Sequence, residues 1–143
     1  MSEHVTANFT VEEFHCHSGE VYPSLWIDER LWPLCNVLER LRAQLGDRAI
    51  SIVSGFRSPA HNEAVGGATN SQHMQGRAAD ITVDGILPRE VHAALLGLFR
   101  AGLIEIGGLG LYPGWVHVDI RPRPPSGHLA EWFGTQVGDE VAA

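Results

Sequence analysis

Cysteine is scarce in this chain. Cys16 and Cys35 are the only two in 143 residues, too few for a disulfide scaffold or a zinc–cysteine cluster. Positive charge is short as well. Ten basic residues stand against 17 acidic ones, a formal net charge of −7, so no broad face for a nucleic-acid backbone is expected. No apolar run approaches the roughly 20 residues of a membrane span, which predicts a soluble protein without a membrane partner. The first eight residues lack both a basic n-region and an apolar h-region. The expectation is therefore no secretory signal peptide and synthesis in the cytoplasm. Internal repeats and low-complexity segments are missing too.

What is present is ordinary globular composition, 44% hydrophobic and 19% charged. At this length one self-sufficient core is expected, so residues 1–143 read as a single domain. Eight histidines and 16 glycines are the unusual feature, and they point toward site chemistry.

Local patterns predict the elements. Thr10 and Glu13 form a capping box for a short helical turn over 10–14. Leu31, Leu34, Leu38, Leu41 and Leu45 recur at spacings of three and four, predicting a helix over 28–45 with Asp28 as N-cap and Gly46-Asp47 as its stop. A β-prone stretch at 49–53 precedes a short helix at 59–65, capped by Ser58 with Pro59 in first position. A glycine-rich polar loop, 66–76, feeds a strand at 78–83, and a helix follows over 88–99. Pro113-Gly114 joins two β-prone runs, 109–112 and 115–120, as a hairpin. Beyond Arg121 the chain is a proline-rich tail carrying Trp132 and Phe133. The fold class is α+β, a small mixed or antiparallel sheet flanked by helices.

The chemistry concentrates in two segments. His73 lies in the polar loop and Asp80 seven residues later in a strand, with Gly76 between them to allow a turn. In the second segment, strict alternation puts Trp115, His117, Asp119 and Arg121 on one face, with Val116, Val118 and Ile120 toward the core. Two imidazoles and one carboxylate around a single ion suit zinc and leave one position open for water, as catalytic sites do. Spacing alone leaves the plainer reading standing, a surface pair or a satisfied buried histidine. Asp80 is harder to dismiss, because a carboxylate inside an apolar strand needs a partner.

Three ordered blocks then decide between these readings: Ser54-Gly55-Phe56-Arg57-Ser58-Pro59-Ala60-His61-Asn62, Gly66 to Ile81 containing Ser71-Gln72-His73-Met74-Gln75-Gly76-Arg77-Ala78-Ala79-Asp80, and Gly110 to Asp119. Together they resemble the zinc D-Ala-D-Ala carboxypeptidase family, with its hedgehog/DD-peptidase fold, and within it the branch of small phage endolysins and murein endopeptidases. The likeness runs from about residue 9 to 121 and fades in the tail, 122–143. It implies a single metallopeptidase domain with His73, Asp80 and His117 as ligands of one zinc ion. It also implies that Arg57 binds a peptide carboxylate or polarises the scissile carbonyl, a task its bidentate, always charged fork suits. The implied activity is hydrolysis of the peptide moiety of peptidoglycan by zinc-activated water, as a D,D-carboxypeptidase or endopeptidase. A lysin-like protein would reach the cell wall after release, or as a virion component.

One position departs from the family pattern. Many relatives carry a carboxylate three residues before the last zinc histidine, where it serves as general base; here that position is Gly114. Asp119 is the nearest substitute, either as the base or as a group that orients a ligand. Ser71 is left between a substrate contact and a loop closure, and His61 between a supporting role and plain exposure. Trp115 is expected to line the cleft, with Trp26, Trp32 and Trp132 in core or interface. The missing acid favours an alternative, a non-catalytic zinc-binding module that recognises cell wall or a protein partner, because this fold also serves signalling domains. Gly107-Gly108-Leu109-Gly110 lacks the helix and lysine of a phosphate loop. His15-Cys16-His17 with Cys35 fits no standard zinc module.

Overall fold

The computed structural model describes residues 3–135; the first two residues and the end of the tail, 136–143, lie outside the described residues. Strands β1 (His4–Thr6) and β2 (Phe9–Thr10) form a small antiparallel pair that the sequence did not announce. A capped 3-10 turn, Val11–Phe14, follows, with the Thr10–Glu13 capping box formed as expected. Helix α1 spans Trp32–Gln44, β3 Ile50–Ser54, α2 Pro59–Ala64, β4 Ala78–Val83 and α3 Pro88–Arg100. Strands β5 (Gly108–Leu111), β6 (Val116–Asp119) and β7 (Ala130–Phe133) complete the chain order.

The entry into α1 differs from the expectation. Asp28 is no N-cap, because the backbone is already helical before it: a 3-10 turn at Ser24–Trp26 runs into a single π-type turn at Ile27–Leu31. Pro33 supplies the reason. It has no N–H to return to the preceding turn and its ring crowds that turn's carbonyl, so the helix widens there, and the Trp32 N–H reaches back to the Ile27 carbonyl. The leucine stripe holds downstream. Leu31, Leu34, Leu38 and Leu41 are all buried, whereas Leu45, past the last turn, is only partly covered.

The main sheet is mixed, in the order β3-β4-β6-β5-β7. The first four strands pair antiparallel with their neighbours, and β7 joins β5 in parallel. The Pro113-Gly114 hairpin sits between β5 and β6, closed by the Tyr112 N–H on the Trp115 carbonyl at 3.0 Å. Strand β7 corrects the expectation of an unstructured tail; its pairing is long-range, and four residues of mixed polarity carry no local strand signal.

Each face of the sheet has its own job. Ala79, Ile81, Leu109, Val116 and Val118 point into the core, where α1 and α3 cover them. On the opposite face one residue from every strand falls into a single row: Ser54, Asp80, His117, Gly110 and Trp132 are successive cross-strand partners from β3 to β7. A polar row through the middle of a sheet is costly unless it is used.

The core predicts its own mutational cost. Leu38 is fully buried on α1, so Leu38→Ala is expected to lower unfolding free energy by about 3 kcal/mol in denaturant titration. A loss below about 1 kcal/mol would mean that α1 does not pack as described.

Candidate metal centre

Register brings Asp80 and His117 together, because they are direct partners on adjacent antiparallel strands. His73 arrives from the polar loop, whose turn closes on itself. The Ser71 hydroxyl accepts from the His73 N–H at 3.1 Å, and the Arg57 N–H reaches the His73 carbonyl at 3.1 Å. Gly76, at φ +67°, turns the chain back toward β4; a Cβ there would strike Trp26 and Tyr22, whose hydroxyl donates to the Gly76 carbonyl at 2.6 Å. The three expected ligands therefore converge. One donor atom from each of His73, Asp80 and His117 lies within 4.8 Å of the others, and all three side chains are fully buried.

The outer nitrogen of each imidazole is already occupied. His73 Nδ1 donates to the Gly55 carbonyl at 2.7 Å, which leaves a lone pair on Nε2. That Nε2 sits 3.3 Å from Asp80 Oδ1 without a hydrogen bond, and both it and Asp80 Oδ2 are buried with no hydrogen-bond partner. His117 Nε2 donates to Asp119 Oδ2 at 2.7 Å, while His117 Nδ1 faces Asp80 Oδ1 at 3.1 Å. His73 Nε2 is thus a buried acceptor without a hydrogen bond, and Asp80 Oδ2 has only the Arg57 guanidinium at 3.6 Å, which leaves acceptor capacity for a cation. The residues present fit a metal ion, and the mixed nitrogen and oxygen donor set suits zinc.

The surroundings shift the two rings in opposite directions. Burial pushes His73 below the usual histidine range and outweighs the pull of Asp80, so the ring is held neutral, the form that binds metal. Burial also works on His117, yet hydrogen bonds from its ring to Asp119 and Asp80 outweigh it and raise that ring. For Asp80, burial would raise the carboxyl, but the two neighbouring imidazoles hold it well below the usual carboxylate range. Arg57 adds a fixed positive charge at 3.6 Å from Asp80 Oδ2. Its guanidinium is fully buried, with Nε toward the Ser54 hydroxyl at 3.4 Å and Nη1 on Asn62 Oδ1 at 3.2 Å. Gly67 makes room, since a Cβ at that position would overlap Asn62 and press on Arg57.

The remaining expectations separate. Asp119 lies on the outer side of the His117 ring, and both of its oxygens are engaged by Arg121: Nε reaches Oδ1 at 2.9 Å and Nη2 reaches Oδ2 at 2.6 Å. Trp115 is buried instead of lining an open cleft, stacked on Tyr112 with ring centroids 4.8 Å apart. Trp32 is more than half exposed. The His61 ring lies 6.2 Å from that of His17 and is not a member of the three-residue cluster. Cys16 and Cys35 are both free and buried, and burial holds the Cys35 thiol far above its usual range.

Sequence reasoning missed Trp132. Its ring lies 5.0 Å from that of His117, and its N–H donates to the Tyr112 hydroxyl at 2.9 Å. A signal existed in the glycines at 108 and 110, which alternate along β5 and leave its site face bare.

A sheet that carries a buried histidine–aspartate–histidine set defines a metal-dependent domain with the three protein ligands typical of catalytic zinc. Comparison with known proteins makes this specific. The chain belongs to the peptidase M15 family, whose profile matches residues 7–119. It is 42% identical over 77 residues to a zinc D-Ala-D-Ala carboxypeptidase of Streptomyces albus G, covering 54% of this chain and 29% of that protein. It is 33% identical over 97 residues to the peptidoglycan L,D-endopeptidase MepK of Escherichia coli K12, covering 62% of this chain and 50% of that one. The chain thus spans half or less of the length of these relatives. No helix among the described residues is long and apolar enough to cross a membrane.

Metal uptake tests the centre directly. Stripped with chelator and titrated with zinc, the protein is expected to bind about one equivalent and to melt at higher temperature when loaded. His73→Ala and Asp80→Asn should each abolish tight binding, and acidification should release the metal as the imidazoles protonate. Uptake undiminished in both variants would place the metal elsewhere.

Proposed function

We propose that this protein hydrolyses the peptide moiety of peptidoglycan with one zinc ion held by His73, Asp80 and His117. The convergence of these three buried side chains, with two acceptor atoms left without a hydrogen bond, carries the reading. Membership in the peptidase M15 family supports it. So do the relatives, one a zinc D-Ala-D-Ala carboxypeptidase and the other a peptidoglycan L,D-endopeptidase.

When bound, zinc supplies a Lewis acid that acidifies a water molecule and polarises a carbonyl. The chain's own residues do the rest. Gly55 and Asp119 fix the two rings through their outer nitrogens, so that the inner nitrogens face one point. Arg57 presents a fixed guanidinium 3.6 Å from Asp80, suited to a substrate carboxylate or to charge developing on a carbonyl oxygen. Ser71 acts as the clasp of the His73 loop. Asp119, gripped by Arg121 and His117, is read as the orienting group and not the base. Trp115 supports the wall of the site from behind Tyr112.

The second reading, a zinc-binding module without turnover, draws on one observation: Gly114 stands where a family acid would be, and Asp119 is already engaged. One experiment separates the two. Zinc-loaded protein incubated with purified peptidoglycan is expected to release new amino groups, and chelator should stop the release. Product analysis then distinguishes loss of a terminal residue from cleavage within the peptide. Zinc binding without release would establish the module instead. Asp119→Ala is expected to weaken zinc binding roughly 10- to 100-fold, as loss of an orienting carboxylate does. A variant that kept full zinc affinity yet lost turnover would return the base role to Asp119.

A further inference from the structure

The row across the sheet ends in a residue that the chemistry above leaves unused. Strand β7 pairs in parallel with β5, which puts Trp132 opposite Gly110, itself opposite His117. With no side chain at 110, the indole lies flat across β5; a Cβ there would come within 2.5 Å of Trp132 Nε1. The ring therefore reaches two strands over and meets the His117 imidazole at 5.0 Å. Its N–H donates to the Tyr112 hydroxyl, whose phenol is within electrostatic reach of Asp80 and Arg57. On its other flank, the Arg121 guanidinium sits 5.3 Å from the indole centroid. That same guanidinium grips Asp119, which holds His117 Nε2. Four side chains thus close a loop: His117 to Asp119, Asp119 to Arg121, Arg121 to Trp132, and Trp132 back to His117. Gly108 serves the same end, because a Cβ there would overlap the Asp119 carboxylate.

We propose that Trp132 is a positioning residue of the metal centre, reaching across Gly110 to fix the His117 ring with its face and the Tyr112 hydroxyl with its N–H. The inference rests on reading the cluster as a zinc site. A metal ligand whose ring can rock loses affinity, because the productive orientation must be selected at each binding event. The indole restrains the ring by contact and, through Arg121, steadies the carboxylate that restrains it by hydrogen bond. Strand β7 becomes part of the site, although it carries no ligand and lies in the segment where family likeness fades.

The test measures zinc affinity by competition with a chromogenic chelator, alongside turnover on peptidoglycan. Trp132→Ala is expected to weaken zinc binding about tenfold with the circular dichroism spectrum unchanged. Gly110→Ala should do the same with the indole still present, by displacing it. The double variant should be no worse than either single one, since both break one contact. Trp132→Phe, which keeps a ring but loses the N–H, should restore zinc affinity. It should also lower kcat about tenfold at unchanged KM, and Tyr112→Phe should add nothing further to that loss. Wild-type zinc affinity in both Trp132→Ala and Gly110→Ala would overturn the proposal, as would fully additive effects. Should Trp132→Ala fail to fold, Gly110→Ala and Trp132→Phe decide in its place. If the wild type binds zinc but never cleaves peptidoglycan, the peptidase reading falls alone, and the affinity series still judges Trp132.

Discussion

A carboxylate with no exposed surface sits in the middle of a five-stranded sheet, and the site is organised around satisfying it. A buried charge of this kind persists only when paired and hydrogen-bonded. Asp80 meets His117 across one strand boundary and His73 from the loop above, with Arg57 at its second oxygen. Each partner is in turn fixed by a separate piece of backbone or side chain. Without Asp80, the Arg57 guanidinium and the raised His117 ring would lose the carboxylate between them, so its ionised state is the condition for the arrangement.

Rigidity follows from how the partners are held. The imidazoles use their outer nitrogens on Gly55 and Asp119, and Asn62 and Ser54 hold the Arg57 fork. Little freedom remains inside, and the donor atoms are held within 4.8 Å of one another. Glycines make the crowding possible. Gly67 admits Asn62, Gly108 admits Asp119 and Gly110 admits Trp132, three close approaches that any side chain would block. The glycine-rich run at 107–110 thus has a packing purpose, in keeping with its failure to match a phosphate loop.

Much of this was legible beforehand because it was written in short-range patterns. The capping box at Thr10, the Ser58 cap, the leucine stripe of α1, the strand at 78–83 and the Pro113-Gly114 hairpin all follow from contacts within a few residues. The alternation from Trp115 to Arg121 correctly assigned faces, because a strand has period two whatever it pairs with. The start of α1 was misjudged because Pro33 acts on the turn before it, converting a capped start into a π-type entry. Strand β7 was invisible, since what makes it a strand is the exposed edge of β5 and not its own residues.

Taken by itself, the sequence pointed to the three residues that the structure gathers into one cluster, and to the face of each element they occupy. Donor types, helical stripes and strand alternation are local properties of the chain. Only the tertiary structure decided who supports whom: that Asp119 is consumed by Arg121, that Trp115 is buried behind Tyr112, and that Trp132 crosses a bare strand to reach His117. Those relations depend on cross-strand register and on the space left by a missing Cβ, quantities fixed by the packing of distant segments and encoded in no single stretch of sequence.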